Sequence, residues 1–118
     1  MKNIFFITAI FLIVFVNLCK GQTGGIIGGI NCQAPGQYSS AIGYESKAFG
    51  AASFAAGFQS KVYGDGAISL GTACDIKGDN SVGFGMGAYT LANSCIAIGT
   101  NAVAGTASSG TNAIAIGN

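Results

Sequence analysis

Glycine and alternating small and large side chains recur along this chain at a fixed spacing. Five glycines lie 14 residues apart and a sixth follows after 18 residues: Gly43, Gly57, Gly71, Gly85, Gly99 and Gly117. The four residues before each glycine alternate between small and large, which predicts one β-strand per repeat because successive strand side chains point to opposite faces. Such a period indicates a solenoid of stacked coils. The last interval, between Gly99 and Gly117, is four residues longer than the others, which predicts a surface loop over residues 105–110.

A weaker copy of the pattern lies seven residues further on. Its small residues are Ser46, Ser60, Cys74, Ala88 and Ala102. Each coil is therefore predicted to hold two strands of roughly five residues, joined by tight turns that depend on glycine. If the small faces of both strands point inward, the roll is too narrow for bulky side chains.

The large residues of the first strand form a nearly uninterrupted apolar stripe. Its members are Ile42, Phe54, Ile68, Leu70, Val82, Phe84, Ile96, Ile98, Ile114 and Ile116. A contiguous exposed apolar patch marks an interface, so the stripe predicts a homo-oligomer packed on these residues. In the alternative, the large residues point into the roll and the small ones pack outside, which keeps the solenoid but weakens the argument for an oligomer.

The outward positions of the second strand mix charged and aromatic residues, which is typical of a solvated face with rings available for contact. The candidate ligand face consists of Phe49, Lys61, Tyr63, Lys77 and Tyr89. Many weak contacts repeated along this face would hold a surface ligand.

The first 21 residues have the pattern of a secretory signal peptide. Lys2 precedes an apolar run over residues 4–16, and small or polar residues follow before a plausible cut ahead of Gln22. One alternative is a retained membrane anchor, which is disfavoured because the run is shorter than the roughly 20 residues of a membrane span. The other alternative is a lipoprotein signal with Cys19 as the lipidated residue. Residues 22–37 are a glycine-rich lead-in whose structure the pattern leaves open, and residues 38–118 hold the repeats.

Charge and composition exclude several classes of function. Without the leader, three lysines face four carboxylates and arginine is absent, which disfavours nucleic acid and anionic membranes as partners. The sequence has no histidine, and no nucleophile has a partner, so we expect no enzyme, no cofactor, no metal site and no small-molecule substrate. Threonines do not recur at the coil spacing, which disfavours ice binding.

Three cysteines follow the leader. Cys74 occupies a slot that Ser46 fills in another coil, and Cys95 one that Ser39 fills, so both are predicted to be small buried residues. They lie on different strands about one and a half coils apart, beyond the roughly 7 Å between Cα atoms that a disulfide spans, so no bridge is expected. Cys32, in the lead-in, is left open between an interchain disulfide and a free thiol.

These residues resemble the head repeats of trimeric autotransporter adhesins, the YadA-like head, whose unit reads roughly Ser-x-Ala-x-Gly-x-x-Ser-x-Ala-x-Gly. The fixed positions are matched by Ser39, Ala41, Gly43, Ser46, Ala48 and Gly50. The family's longer consensus, Asn-Ser-Val-Ala-Ile-Gly, is similar to residues 80–85, 94–99 and 112–117. The resemblance covers residues 38–118.

The resemblance implies an all-β, left-handed parallel β-roll, a side-by-side homotrimer, and adhesion to host, matrix or cell surfaces by a secreted or cell-surface protein. Typical members continue into a heptad-patterned stalk and a membrane barrel, and these 118 residues contain neither pattern. We therefore expect a fragment, a short secreted head or a module that a partner anchors, associated with the outer membrane if a stalk and anchor exist. The alternative function is a structural spacer or fibre module without a ligand of its own.

Overall fold

The computed structural model describes residues 25–106 and 111–118, and the regular elements in this part of the chain are all β-strands. The longer strands are β1 (Ile26–Ile30), β2 (Ser40–Tyr44), β4 (Phe54–Phe58), β6 (Ile68–Thr72), β8 (Val82–Met86), β10 (Ile96–Ile98) and β12 (Ile114–Ile116). The shorter strands are β3 (Lys47–Ala48), β5 (Lys61–Val62), β7 (Asp75–Ile76), β9 (Tyr89–Thr90) and β11 (Val103–Ala104). The predicted signal peptide, with Cys19, and residues 107–110 of the predicted loop lie outside the described residues.

The strands form two parallel sheets. One has the order β1-β2-β4-β6-β8-β10-β12 and the other the order β11-β9-β7-β5-β3. Register partners such as Ile42 and Ala56 are 14 residues apart, and the spacing becomes 18 only between Ile96 and Ile114. The predicted β-solenoid of 14-residue coils is therefore confirmed, with about six turns. Its left hand stays a prediction from the resemblance.

From Gly25 on, the glycine-rich lead-in forms part of the solenoid. Strand β1 pairs in register with β2, and Gln33 forms a parallel bridge with Lys47 of the next coil. The sequence left this segment open because its glycines interrupt the alternation of small and large residues. Strand β1, with Ile26, Ile27 and Ile30, extends the ladder by one coil.

One side-chain hydrogen bond recurs at the corner between the sheets. Each of four residues spaced by 14 donates to the carbonyl oxygen of the glycine eleven residues later; the donors are Cys32, Ser46, Ser60 and Cys74. The serine bonds are 2.8–2.9 Å long and the cysteine bonds 3.2–3.3 Å. Cys32 therefore lies within the coil register and is only half-buried. Cys74 and Cys95 are buried, which confirms their prediction as small core residues.

The second strand of each coil is shorter than predicted, with two residues in place of roughly five. A corner residue in the left-handed conformation precedes it, such as Glu45 with a φ of 53°. A turn at residues 51–52 follows Lys47–Ala48. Because a 14-residue coil must reverse direction twice, only the two residues between the corners pair with the next coil on this side.

Small side chains of the first strand line the interior, and large ones point outward. Ala41 and Ala97 are 0 % exposed, whereas Ile42 is 42 % and Phe84 53 % exposed. Of the two orientations that the sequence allowed, the structure therefore has the one with the apolar stripe outside.

The prediction that the roll is too narrow for any bulky side chain is wrong in its central coils. Val62, Ile76 and Thr90, all from the second strands, are completely buried. Ile76 fits because the facing strand has Gly83, and a Cβ at that position would collide with Cδ1 of Ile76. The interior is therefore filled by pairing large residues of one sheet with small residues of the other.

The close approach of successive coils explains the repeated glycine. Gly57 has a φ of 123°, in a region that side chains rarely adopt. A Cβ there would also collide with the carbonyl oxygen of Gly71 in the next coil. Gly43, Gly71 and Gly85 are under the same two restrictions.

Replacing Gly57 by alanine is expected to lower the free energy of unfolding by about 2–4 kcal/mol, because the new Cβ is strained and displaces a backbone carbonyl. Urea unfolding followed by circular dichroism at fixed protein concentration measures the loss. Gly28→Ala is the matched control, since its Cβ would contact only side-chain atoms of Ile42 at 3.7–3.8 Å. Equal losses in the two variants would contradict the explanation.

Gly83→Ala is expected to cost about 1–3 kcal/mol through overpacking against Ile76. Adding Ile76→Val removes the colliding Cδ1 and should recover at least half of that loss. In the parent chain, which keeps Gly83, Ile76→Val alone should instead lower the free energy of unfolding by about 0.5–1.5 kcal/mol. A double-mutant cycle measures the coupling, and additive losses would rule out the size pairing.

Candidate functional site

The outward side of the seven-stranded sheet, here called the apolar face, has three columns of side chains. The first column is Ile26, Ser40, Phe54, Ile68, Val82, Ile96 and Ile114; the middle column is Gly28, Ile42, Ala56, Leu70, Phe84, Ile98 and Ile116; the third column is Ile30, Tyr44, Phe58, Thr72 and Met86. All ten residues of the predicted apolar stripe lie in the first and middle columns. Val82 and Ile96 are half-buried by their neighbours, whereas Ile114 and Ile116 are the most exposed of the ten.

Sequence reasoning missed the third column. Tyr44, Phe58 and Met86 are 39–53 % exposed, and the rings of Tyr44 and Phe58 stack with centroids 5.1 Å apart and planes 7° apart. Each of these residues directly follows a repeat glycine, and the sequence pattern places the end of the strand at that glycine. Large residues recurring at the same spacing after the glycine were the available signal.

The five-stranded sheet presents the predicted ligand face. Lys61 and Tyr89 lie in one column of this sheet. Phe49, Tyr63 and Lys77 directly follow β3, β5 and β7, and each donates a backbone hydrogen bond to the next coil at the same spacing. The rings of Phe49 and Tyr63 stack, with centroids 5.1 Å apart and planes 14° apart. The structure therefore brings these five residues onto one surface, where Phe49 pairs with Tyr63, Lys77 pairs with Tyr89, and Lys61 lies in the column of Tyr89.

Lys77 is held by polar neighbours on this face. Its Nζ donates a hydrogen bond of 2.8 Å to the hydroxyl of Tyr89 and lies 4.0 Å from Oδ2 of Asp75. The hydrogen bond, and after it the charge of Asp75, raise the pKa of Lys77 above its ordinary value of 10.5. Although Nζ is 5.0 Å from the Tyr89 ring centroid, it reaches the hydroxyl edge, so the hydrogen bond fixes it more than a cation–π contact does.

An open groove of about 360 Å³ runs along the corner beside this face. Its lining residues are Glu45, Lys47, Gln59, Lys61, Ala73, Cys74 and Asp75. Gln59 donates from Nε2 to Oε2 of Glu45 at 2.9 Å, which ties the linings of adjacent coils together. Of the predicted ligand-face residues, Lys61 lies in this groove, so the groove and the ligand face form one surface.

The acidic residues at the opposite corner serve the backbone. Oδ1 of Asp65 accepts from the amide of Ala51 at 2.7 Å, and Oδ1 of Asp79 accepts from the amide of Asp65 at 2.9 Å. Each of these two aspartate side chains thus attaches its own coil to the preceding coil. Among residues 25–106 and 111–118, no group of three or more His, Cys, Asp or Glu side chains is placed to hold a metal ion.

On the ligand face Lys77 binds Tyr89, and in the adjoining groove Gln59 binds Glu45. Within the part of the chain that the structure describes, no helix has the length and hydropathy of a membrane span.

Comparison with protein families identifies the repeat. The family model for the YadA head domain repeat matches residues 34–60, 50–73 and 96–118, together more than half of the chain. Comparisons with curated proteins and with solved structures each returned no match. The matched ranges contain β2 to β6 and β10 to β12, which carry most of the apolar face.

Tyr89→Phe is expected to lower the pKa of Lys77 toward 10.5, because it removes the hydrogen bond that raises it most. A raised lysine pKa adds stability that is fully present below 10.5 and is lost as the pH rises through the folded-state pKa, so the variant should be less stable than the parent at neutral pH and the difference should disappear under alkaline conditions. NMR titration of the Lys77 side chain measures the shift. Tyr63→Phe, which removes only a weaker charge effect, is the control; an equal shift there would contradict the assignment.

Proposed function

The chain belongs to the family of YadA head repeats, and on that basis we propose that it is an exported adhesin head that attaches as a homotrimer to a host, matrix or cell surface. Heads of this family are adhesin-type domains of trimeric autotransporters and not enzymes. Membership also suggests exposure at the cell surface. Export through residues 1–21, and outer-membrane association through a stalk and anchor, belong to the same proposal.

The extent of the apolar face supports the trimer. Twelve of its large side chains are between 37 and 77 % exposed: Ile26, Ile30, Ile42, Tyr44, Phe58, Ile68, Leu70, Phe84, Met86, Ile98, Ile114 and Ile116. At about 180 Å² for each side chain, they leave on the order of 1,000 Å² of apolar surface. A typical monomer keeps its largest patch below roughly 600 Å², and a stable interface covers roughly 800 Å² per partner. The face is thus large enough for contact with other copies.

The ligand face supports adhesion because it remains available when the apolar face is covered. The two surfaces lie on different sheets of the solenoid, with the interior between them. Phe49, Tyr63 and Lys77 repeat along the axis at the coil spacing, so a long ligand can meet several of them at once. Three parallel copies would multiply these weak contacts into a firm attachment.

The purified chain is expected to have the mass of a trimer by light scattering, and Ile68→Asn/Ile96→Asn/Ile98→Asn is expected to become monomeric or to unfold. Each asparagine would place an unpaired amide in the covered face. The matched control, Phe49→Asn/Tyr63→Asn/Lys77→Asn, changes the other sheet and should remain a trimer. It should also bind at least tenfold less to cultured cells and to matrix-coated surfaces.

Three outcomes separate the possibilities. A well-folded monomeric parent would mean that the trimer of the family does not apply to this chain. A trimeric parent that binds neither matrix nor cells would favour the spacer function. Hydrolytic activity of the purified chain would contradict a purely adhesive role.

A further inference from the structure

Small residues are distributed over the first four levels of the apolar face, whereas the level of β8 has none. Each strand from β1 to β6 in the seven-stranded sheet contributes three outward residues at one level, and one of the three is small. The small residue changes column from level to level: Gly28 lies in the middle column, Ser40 in the first, Ala56 in the middle and Thr72 in the third. Side chains on a face exposed to water do not have to match one another in size, whereas large and small side chains must be matched where two surfaces pack closely.

Three-fold symmetry limits how such faces can meet. Rotation about a three-fold axis brings one patch of a chain against a different patch of its neighbour, and equivalent residues stay at the same height. Of three parallel columns, the middle one can face the axis, and the two outer ones then meet those of the neighbouring chains. Contact between two copies of the same outer column would require a two-fold axis, which gives a dimer.

We propose, as a consequence of the trimer proposed above, that the middle column lies on the three-fold axis and the first column of each chain packs on the third column of the next. Residue i of one chain then meets residue i + 4 of its neighbour within the same coil. The apolar area of the face, on the order of 1,000 Å² per chain, is sufficient for contacts with two neighbours.

The pairing accounts for the choice of residues at individual levels. At the level of β2, the small Ser40 would meet the large Tyr44 of the next chain. At the level of β4, Phe54 would meet Phe58, and the middle residue between these rings is Ala56, which leaves room at the axis. At this level two large outer residues are thus matched with a small middle residue, as the interior of the roll matches Ile76 with Gly83.

Cysteine cross-linking tests the pairing in the full chain. All variants carry Cys19→Ser, which removes the leader thiol, and Cys32→Ser, which replaces a half-buried thiol by the residue type of the equivalent Ser46. Ile68→Cys/Thr72→Cys places a thiol in each outer column of β6. A bond within one chain is excluded because four strand residues span about 13 Å, beyond the reach of a disulfide.

After oxidation with copper phenanthroline, a non-reducing gel should show the double variant mainly as a covalent trimer. Ile68→Cys or Thr72→Cys alone should remain monomeric on the gel. Leu70→Cys alone should give a covalent dimer and a leftover monomer, because three thiols at an axis can form only one disulfide. Ser40→Cys/Tyr44→Cys repeats the test at the level of β2 in case the first pair disturbs folding.

Light scattering on each variant before oxidation separates the two proposals. A trimer in which Ile68→Cys alone forms covalent dimers would overturn the pairing and leave the trimer standing. A folded trimer in which neither double variant forms a covalent trimer would also overturn it. A monomeric parent would overturn the trimer and the pairing together.

Discussion

Backbone contact between successive coils is the constraint on which the rest of this structure depends. At Gly57, the carbonyl oxygen of the next coil occupies the space that a Cβ would need, so no other residue fits without moving the ladder. Hydrogen bonds from Ser46 and Ser60 attach each corner to the following coil at the same spacing. The period of 14 residues is therefore a geometric requirement. Sequence variation is left to side chains that point away from the stack, and those residues form the two outer faces.

The thin interior determines what the outer faces have to do. A roll lined mostly by alanine, serine and glycine buries little apolar surface, and domains of this size have little core to spare. The large residues Ile42, Leu70 and Phe84 are excluded from the interior and remain on one sheet. Assembly on that sheet would supply the burial that the single chain lacks. Oligomerisation and folding are then linked, because the same side chains serve both.

Much of this fold could be predicted from the sequence, because spacing and alternation report directly on coil length and strand direction. What escaped prediction depends on contacts between strands or on backbone conformation. Ile76 is accommodated by Gly83 of the facing strand, and neither strand alone reveals that pairing. Glu45 adopts a left-handed φ without being glycine or asparagine, so nothing in the sequence marked where the corner shortens the second strand. Tyr44 was missed because Gly43 lies within strand β2 and does not end it.

The separation of the two faces also shapes how adhesion would work. Phe49 and Tyr63 stack on each other along the axis, so each ring covers one face of the other. A ligand would therefore meet only the remaining exposed part of each ring and the ammonium of Lys77, each of which gives a weak contact on its own. Strength must come from the number of coils and chains engaged at once. A repeat that adds coils without changing its cross-section can increase this number without redesigning a binding pocket, which explains why a surface function suits a solenoid built from one rigid unit.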